Sequence, residues 1–111
     1  MVTVLQALCP RVFPDVAPQG TALPYISWQH IGGRPQRFVD GAAASLRHSY
    51  VQINVWAATR AQAMTLVRSV EDALCAATTF NARPESEPIA DVDADTDRRG
   101  YLQDFSVWGP R

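Results

Sequence analysis

Between Val51 and Ala77 the spacing of hydrophobic residues changes from a period of two to a period of 3.6. Val51, Ile53 and Val55 alternate with Gln52, Asn54 and Trp56, so on a strand the two sets point to opposite faces. From Ala63 the apolar positions run Ala63, Leu66, Val67, Val70, Ala73, Leu74 and Ala77, which is the i, i+3, i+4, i+7 spacing of one helical face. The spacing predicts a strand over Leu46 to Trp56 and a helix from about Arg60 to Ala77. Thr59 with Gln62 three residues later matches a capping box, in which hydroxyl and amide each satisfy a backbone N–H left free by the first turn. A half-buried strand feeding an amphipathic helix is an α+β element, and no catalytic motif lies along it.

The flanking segments are weaker but readable. Val2, Leu5 and Leu8 recur at helical spacing, yet the segment is shorter than the roughly 12 residues at which an isolated helix becomes marginal, so it must dock to exist. Arg11 to Phe13 reads as a short extended piece closed by Pro14. Asp15 to Thr21, with Pro18 and Gly20, reads as a loop. Pro24 opens a strand over Tyr25 to Ile31, which Gly32, Gly33 and Pro35 end. Residues 34–46 read as a long hairpin arm or a mobile loop, and Thr78 to Pro88 as a linker. Alternation from Ile89 through Val92, a polar turn at Thr96 to Gly100 and a closing strand at Tyr101 to Trp108 read as a terminal hairpin. The expected fold is one α+β domain over residues 1–111. It is a mostly antiparallel β-sheet with one long amphipathic helix and a short N-terminal helix packed on one face.

Composition narrows the function classes. A chain of 111 residues fits one modest core, with roughly 65% of the unfolded surface buried on folding. No apolar run approaches the roughly 20 residues of a membrane-spanning helix. The apolar start, Met1 to Leu8, lacks a basic region and a cleavage site, which argues against a secretory signal. Cys9 and Cys75 make no disulfide framework and are expected as a buried, reduced pair, which suits a cytosolic compartment. No CxxC occurs, and neither His30 nor His48 stands at ligand spacing from a cysteine, so no zinc site is expected. All ten basic residues are Arg, which excludes Schiff-base and P-loop lysine chemistry. Net charge is near zero but uneven. Before Pro84 seven Arg stand against four carboxylates, and from Glu85 onward three against seven. Without a basic helix or stripe, direct sequence-specific contact with nucleic acid is not expected.

Candidate chemistry adds little. Asp91, Asp93, Asp95 and Asp97 alternate like calcium ligands, but the glycine and glutamate that such a loop needs at its sixth and twelfth positions are Thr96 and Leu102. The aspartates are better read as the solvent face of a strand entering a turn, where they discourage stray strand pairing. Ser45, Ser49 and Ser106 lack a nucleophile-elbow context, and His30 and His48 fall on or beside strands, so no triad is supported. Trp28, Trp56 and Trp108 fall on three different strands and are expected to build the core or cover one sheet face. Gln52 and Asn54 share the face of Trp56, a mixed polar and aromatic surface of the kind found in protein contacts.

The order of these pieces carries a resemblance. Arg11-Val12-Phe13-Pro14, Ala17-Pro18-Gln19-Gly20, Leu23-Pro24-Tyr25-Ile26, Val51 to Trp56 with Ala58 and Thr59, and Asp104-Phe105-Ser106-Val107-Trp108 together resemble the small tail completion proteins of tailed phages and prophages, the tail terminator or tail-to-head joining proteins. The resemblance covers nearly the whole chain. It implies a structural virion assembly protein with no catalytic residues, no cofactor and no metal. Such a protein forms a ring, usually a hexamer, at the head–tail junction after assembly in the bacterial cytoplasm. The implied partners are copies of itself, the tail tube protein and the head connector or neck protein, and a monomeric free subunit is compatible with the role. Family members open on a longer leading helix than Met1 to Leu8 provides, which affects the packing expected around Cys9. A ring needs two different patches on each subunit. The interface candidates are Arg34, Arg37 and Phe38 on one side and Glu85, Glu87, Asp91, Asp93, Asp95 and Asp97 on the other. The competing readings are a head-completion or neck protein of the same phage module and a small ligand-binding α+β domain.

Overall fold

The computed structural model describes residues 1–33 and 46–110. Its elements run α1 (Val2–Leu8), β1 (Val12–Pro14), β2 (Tyr25–His30), β3 (Leu46–Ala57), α2 (Arg60–Ala76), β4 (Asn81–Pro84), β5 (Ile89–Asp93) and β6 (Arg98–Pro110). The arm or loop expected over residues 34–46 lies outside the described residues apart from Leu46, which opens β3.

One mixed sheet carries all six strands, in the order β1-β2-β3-β6-β4, with β5 also pairing β6. Its spine is the antiparallel β3–β6 ribbon, aligned without a break from Leu46 opposite Pro110 to Ala57 opposite Arg99. At about 3.3 Å per residue this ribbon is roughly 40 Å long. The terminal hairpin forms as the alternation predicts, with Ile89 opposite Leu102 and Asp93 opposite Arg98. β1 joins β2 in parallel, and every other pairing is antiparallel.

The helices pack on one side. α2 presents Ala63, Val67, Val70 and Leu74, all fully buried, to Val51, Ile53, Val55 and Ala57 of β3 and to Tyr101 and Phe105 of β6. Fully burying a side chain such as Phe105 stabilises by about 1.5–3 kcal/mol. α1 adds Leu5 and its C-cap Cys9 to the same core. At the start of α2 the Thr59 hydroxyl accepts the Gln62 N–H at 3.2 Å. Gln62 Oε1 accepts from Ala58 N–H at 3.3 Å, one residue upstream of the position a capping box uses. Arg60, poorly placed for the helix dipole in the first turn, is held elsewhere. Its guanidinium donates to the carbonyls of Gly100 and Asp91 at 2.6 and 3.0 Å and lies 4.8 Å from the Tyr101 ring centroid.

Several expectations need correction. The stretch from Thr78 to Pro88 is not wholly a linker, because Asn81–Pro84 forms β4 against residues 105–108 of β6. Asn and Pro disfavour strands in general, but an edge position tolerates Pro84, and Ala82 is buried there. β6 begins at Arg98 rather than Tyr101, so Gly100 belongs to the ladder. A Cβ on Gly100 would stand 2.6 Å from the Val55 carbonyl oxygen and 2.8 Å from Trp56 Cε3, so the close approach there requires glycine. The cysteines are not a buried pair: Cys9 is buried and Cys75 is exposed. The tryptophans do not share a face. Trp28 packs against the helix-side core, whereas register places Trp56 and Trp108 on the opposite face with Asn54 and Gln52.

Candidate interaction surfaces

The acidic stretch identified in the sequence is distributed over three places. Glu85 follows β4, where its backbone N–H donates to the Asp104 carbonyl at 2.8 Å, and Glu87 stands exposed beside α2. Asp91 and Asp93 lie on β5, opposite Gly100 and Arg98, on the sheet face away from the helices. Asp91 Oδ1 accepts from the Val92 N–H at 2.8 Å, which occupies one backbone donor on an edge strand. Asp95 and Asp97 lie in the exposed turn between β5 and β6, and Asp97 adopts a left-handed φ of 55°. Asp97 pairs with Arg99 of the same chain at 3.1 Å. With one partner 88% exposed, that ion pair stabilises by at most about 1 kcal/mol. Arg34, Arg37 and Phe38 lie outside the described residues.

The sheet face away from the helices presents Gln52, Asn54, Trp56, Leu102 and Asp104 side by side, each half-buried. Gln52 Nε2 donates to Asp104 Oδ1 across the ribbon at 3.3 Å. Arg98 closes one end of this face, donating to Tyr25 Oη at 3.0 Å with its guanidinium 5.4 Å from the ring centroid. The other end holds a pair that sequence reasoning left apart. His48 Nε2 and Ser106 Oγ lie 2.7 Å from each other, with His48 between the rings of Tyr50 and Trp108 at centroid distances of 4.5 and 4.6 Å. His48 is 7% exposed, and the contact joins β3 to β6 across the ribbon. Ser49 sits opposite Val107 and His30 is exposed at the end of β2, while Ser45 lies outside the described residues.

Two clefts flank α2. The first, of about 310 Å³, is walled by Met64, Arg68, Glu71 and Asp72 of α2 on one side and by Glu87 and Pro88 on the other, with Gln103 of β6 at its floor. Gln103 is fully buried. Its Nε2 donates to Glu71 Oε1 at 2.8 Å and to the Ser86 carbonyl at 2.9 Å, whereas among the described residues its Oε1 and the Ser86 hydroxyl have no hydrogen-bond partner. The second is an apolar groove of about 410 Å³ between the end of α1 and α2, bordered by Leu8, Pro24 and Leu66. Sequence reasoning passed over Gln103, although a signal was present. It occupies the same period-two register as Tyr101, Phe105 and Val107, a polar residue in an apolar series. Near this cleft, partial burial pushes the Cys75 thiol up from its ordinary range, and the carboxylates of Glu71 and Asp72 add to the effect.

No curated protein matches the chain. The family model described as tail completion protein gp17 matches residues 2–108, a span that runs from α1 almost to the end of β6. A structural role in the phage tail agrees with a site inventory made of exposed strands, a mixed sheet face and charged turns. The chain therefore belongs to the tail completion protein gp17 family and takes part in phage tail assembly.

Proposed function

We propose that this protein forms a ring, a hexamer, at the head-proximal end of the tail tube, where it ends tail growth and joins the tail to the head. Membership of the tail completion family carries the reading. The fold supports it through asymmetry. A ring of identical subunits needs a heterologous interface in which two unlike patches meet. The helix-covered side and the open face of β3 and β6 differ in chemistry, and the acidic groups from Glu85 to Asp97 follow one another along the chain from the end of β4 to the β5–β6 turn. In this proposal that acidic segment meets Arg34, Arg37 and Phe38 of the adjacent subunit, and the ring contacts the tube protein on one side and the head connector on the other. Rim charges of this kind tune register and association rate more than affinity.

The test is size-exclusion chromatography with light scattering over a concentration series, with and without purified tail tubes. A ring, or binding confined to tube ends, is the expected outcome, and an Arg34→Ala, Arg37→Ala variant should assemble more slowly with less dependence on salt. A monomer that ignores tubes at every concentration refutes the terminator role and points to the neck.

A further inference from the structure

The first cleft beside α2 holds two features that the fold does not explain. Gln103 is fully buried, and the orientation of its amide is fixed by chemistry. Both neighbours of Nε2, the Glu71 carboxylate and the Ser86 carbonyl, accept hydrogen bonds and donate none, so only the NH₂ end can face them. Among the described residues Oε1 is left as a buried acceptor without a donor, and the buried Ser86 hydroxyl is also unpartnered. A buried polar atom in that condition costs about 1–3 kcal/mol unless something supplies the missing bond. The walls add excess negative charge, with Glu71, Asp72 and Glu87 against Arg68 alone. Among the described residues none of these four makes an ion pair within the chain.

We propose that this cleft is a socket for an arginine side chain of a neighbouring copy of the chain. A guanidinium brings five N–H donors and no acceptor, which suits an orphaned amide oxygen in a cleft lined by three carboxylates. Met64 and Pro88 line the same cleft and match the apolar stem of an arginine. A volume of about 310 Å³ lies at the bottom of the range for ligand pockets, enough for one side chain rather than a cofactor. A metal ion is a poorer occupant, because among the described residues no group of three His, Cys, Asp or Glu is close enough to hold one. A copy of this chain fits as the donor because its ten cations are all arginine, whereas the cleft sets three carboxylates against one arginine. The choice of donor rests on the ring proposed above, but the chemistry of the socket does not.

The experiment titrates the isotope-labelled full chain with N-acetyl-arginine amide and, separately, with N-acetyl-lysine amide, following the Gln103 side-chain amide and the Met64 methyl by NMR. Saturable shifts with the arginine probe are expected, with the lysine probe weaker. An Asp72→Asn, Glu87→Gln variant, altered only at exposed positions, should bind about fivefold or more weakly. No shift, or equal binding of the two probes, overturns the socket. Light scattering of the same variant separates the donor from the socket. Ring formation as strong as in the parent, or arginine binding by a chain that never self-associates, overturns the neighbouring copy as donor. Failure of the probe to bind a chain that does form rings overturns the socket and leaves the ring intact.

Discussion

Replacing Leu5 by alanine should detach α1 while leaving the sheet folded, and Cys9 provides the readout. At seven residues α1 is too short to persist alone, and Leu5 is its one fully buried side chain. Cys9 caps the helix through its backbone N–H to the Leu5 carbonyl at 3.0 Å and is 2% exposed, with its thiol donating to the Pro24 carbonyl at 3.4 Å. Removing the Leu5 methyls sacrifices transfer free energy and leaves a cavity, together about 2–5 kcal/mol for Leu→Ala. Because Leu5 sits at one end of the core under a helix that can settle, the lower half applies, about 3 kcal/mol. That is roughly a hundredfold in the docking equilibrium. In a Cys75→Ser background a thiol reagent under native conditions should therefore label Cys9 about a hundred times faster in Leu5→Ala than in the parent. The urea midpoint should fall by less than the full amount, since once α1 has left, Leu5 no longer contributes. Cys9 labelling no faster than global unfolding allows, together with a full 3 kcal/mol loss of global stability, would falsify the argument, because α1 would then leave only when everything unfolds.

Other consequences are smaller and separable. Thr59→Ala removes the hydroxyl that accepts the Gln62 N–H and should cost about 1 kcal/mol in urea unfolding; a change below a few tenths would mean that the displaced Gln62 bond to Ala58 holds the helix start by itself. Gly100→Ala forces a methyl against the Val55 carbonyl and the Trp56 ring, so it should destabilise by about 1–3 kcal/mol and alter the near-ultraviolet dichroism of Trp56, and an unchanged spectrum would contradict the packing described. The raised Cys75 thiol should show a labelling rate that climbs with pH to an inflection above the ordinary cysteine value of about 8.5. Glu71→Gln, Asp72→Asn should lower that inflection only in part, because burial is the larger cause.

The elements fixed by local periodicity were legible without a fold. Strand β3, helix α2 to within a residue, the docked α1 and the β5–β6 hairpin all follow from spacings within about 15 residues, because each records which face of one segment leaves water. The exposure of Cys75 was legible too, since it stands one position past Leu74 and off the buried Ala63, Val67, Val70, Leu74 stripe; the general tendency of cysteine to be buried misled where helical phase did not. What the sequence could not settle depends on pairing between distant segments. Asn81–Pro84 has no strand pattern of its own and becomes β4 only because the edge of β6 offers unpaired backbone groups. Which tryptophan faces the helices follows from register, with Trp28 opposite Ile53 and Trp108 opposite His48, and shifting a register by one residue would exchange the faces. The meeting of His48 with Ser106, and of Gln103 with Glu71 and Ser86, joins residues 58, 32 and 17 positions apart. Periodicity reports each segment's own two faces, while the chemistry of a surface or a cleft is assembled from several segments, and only the tertiary structure brings them together.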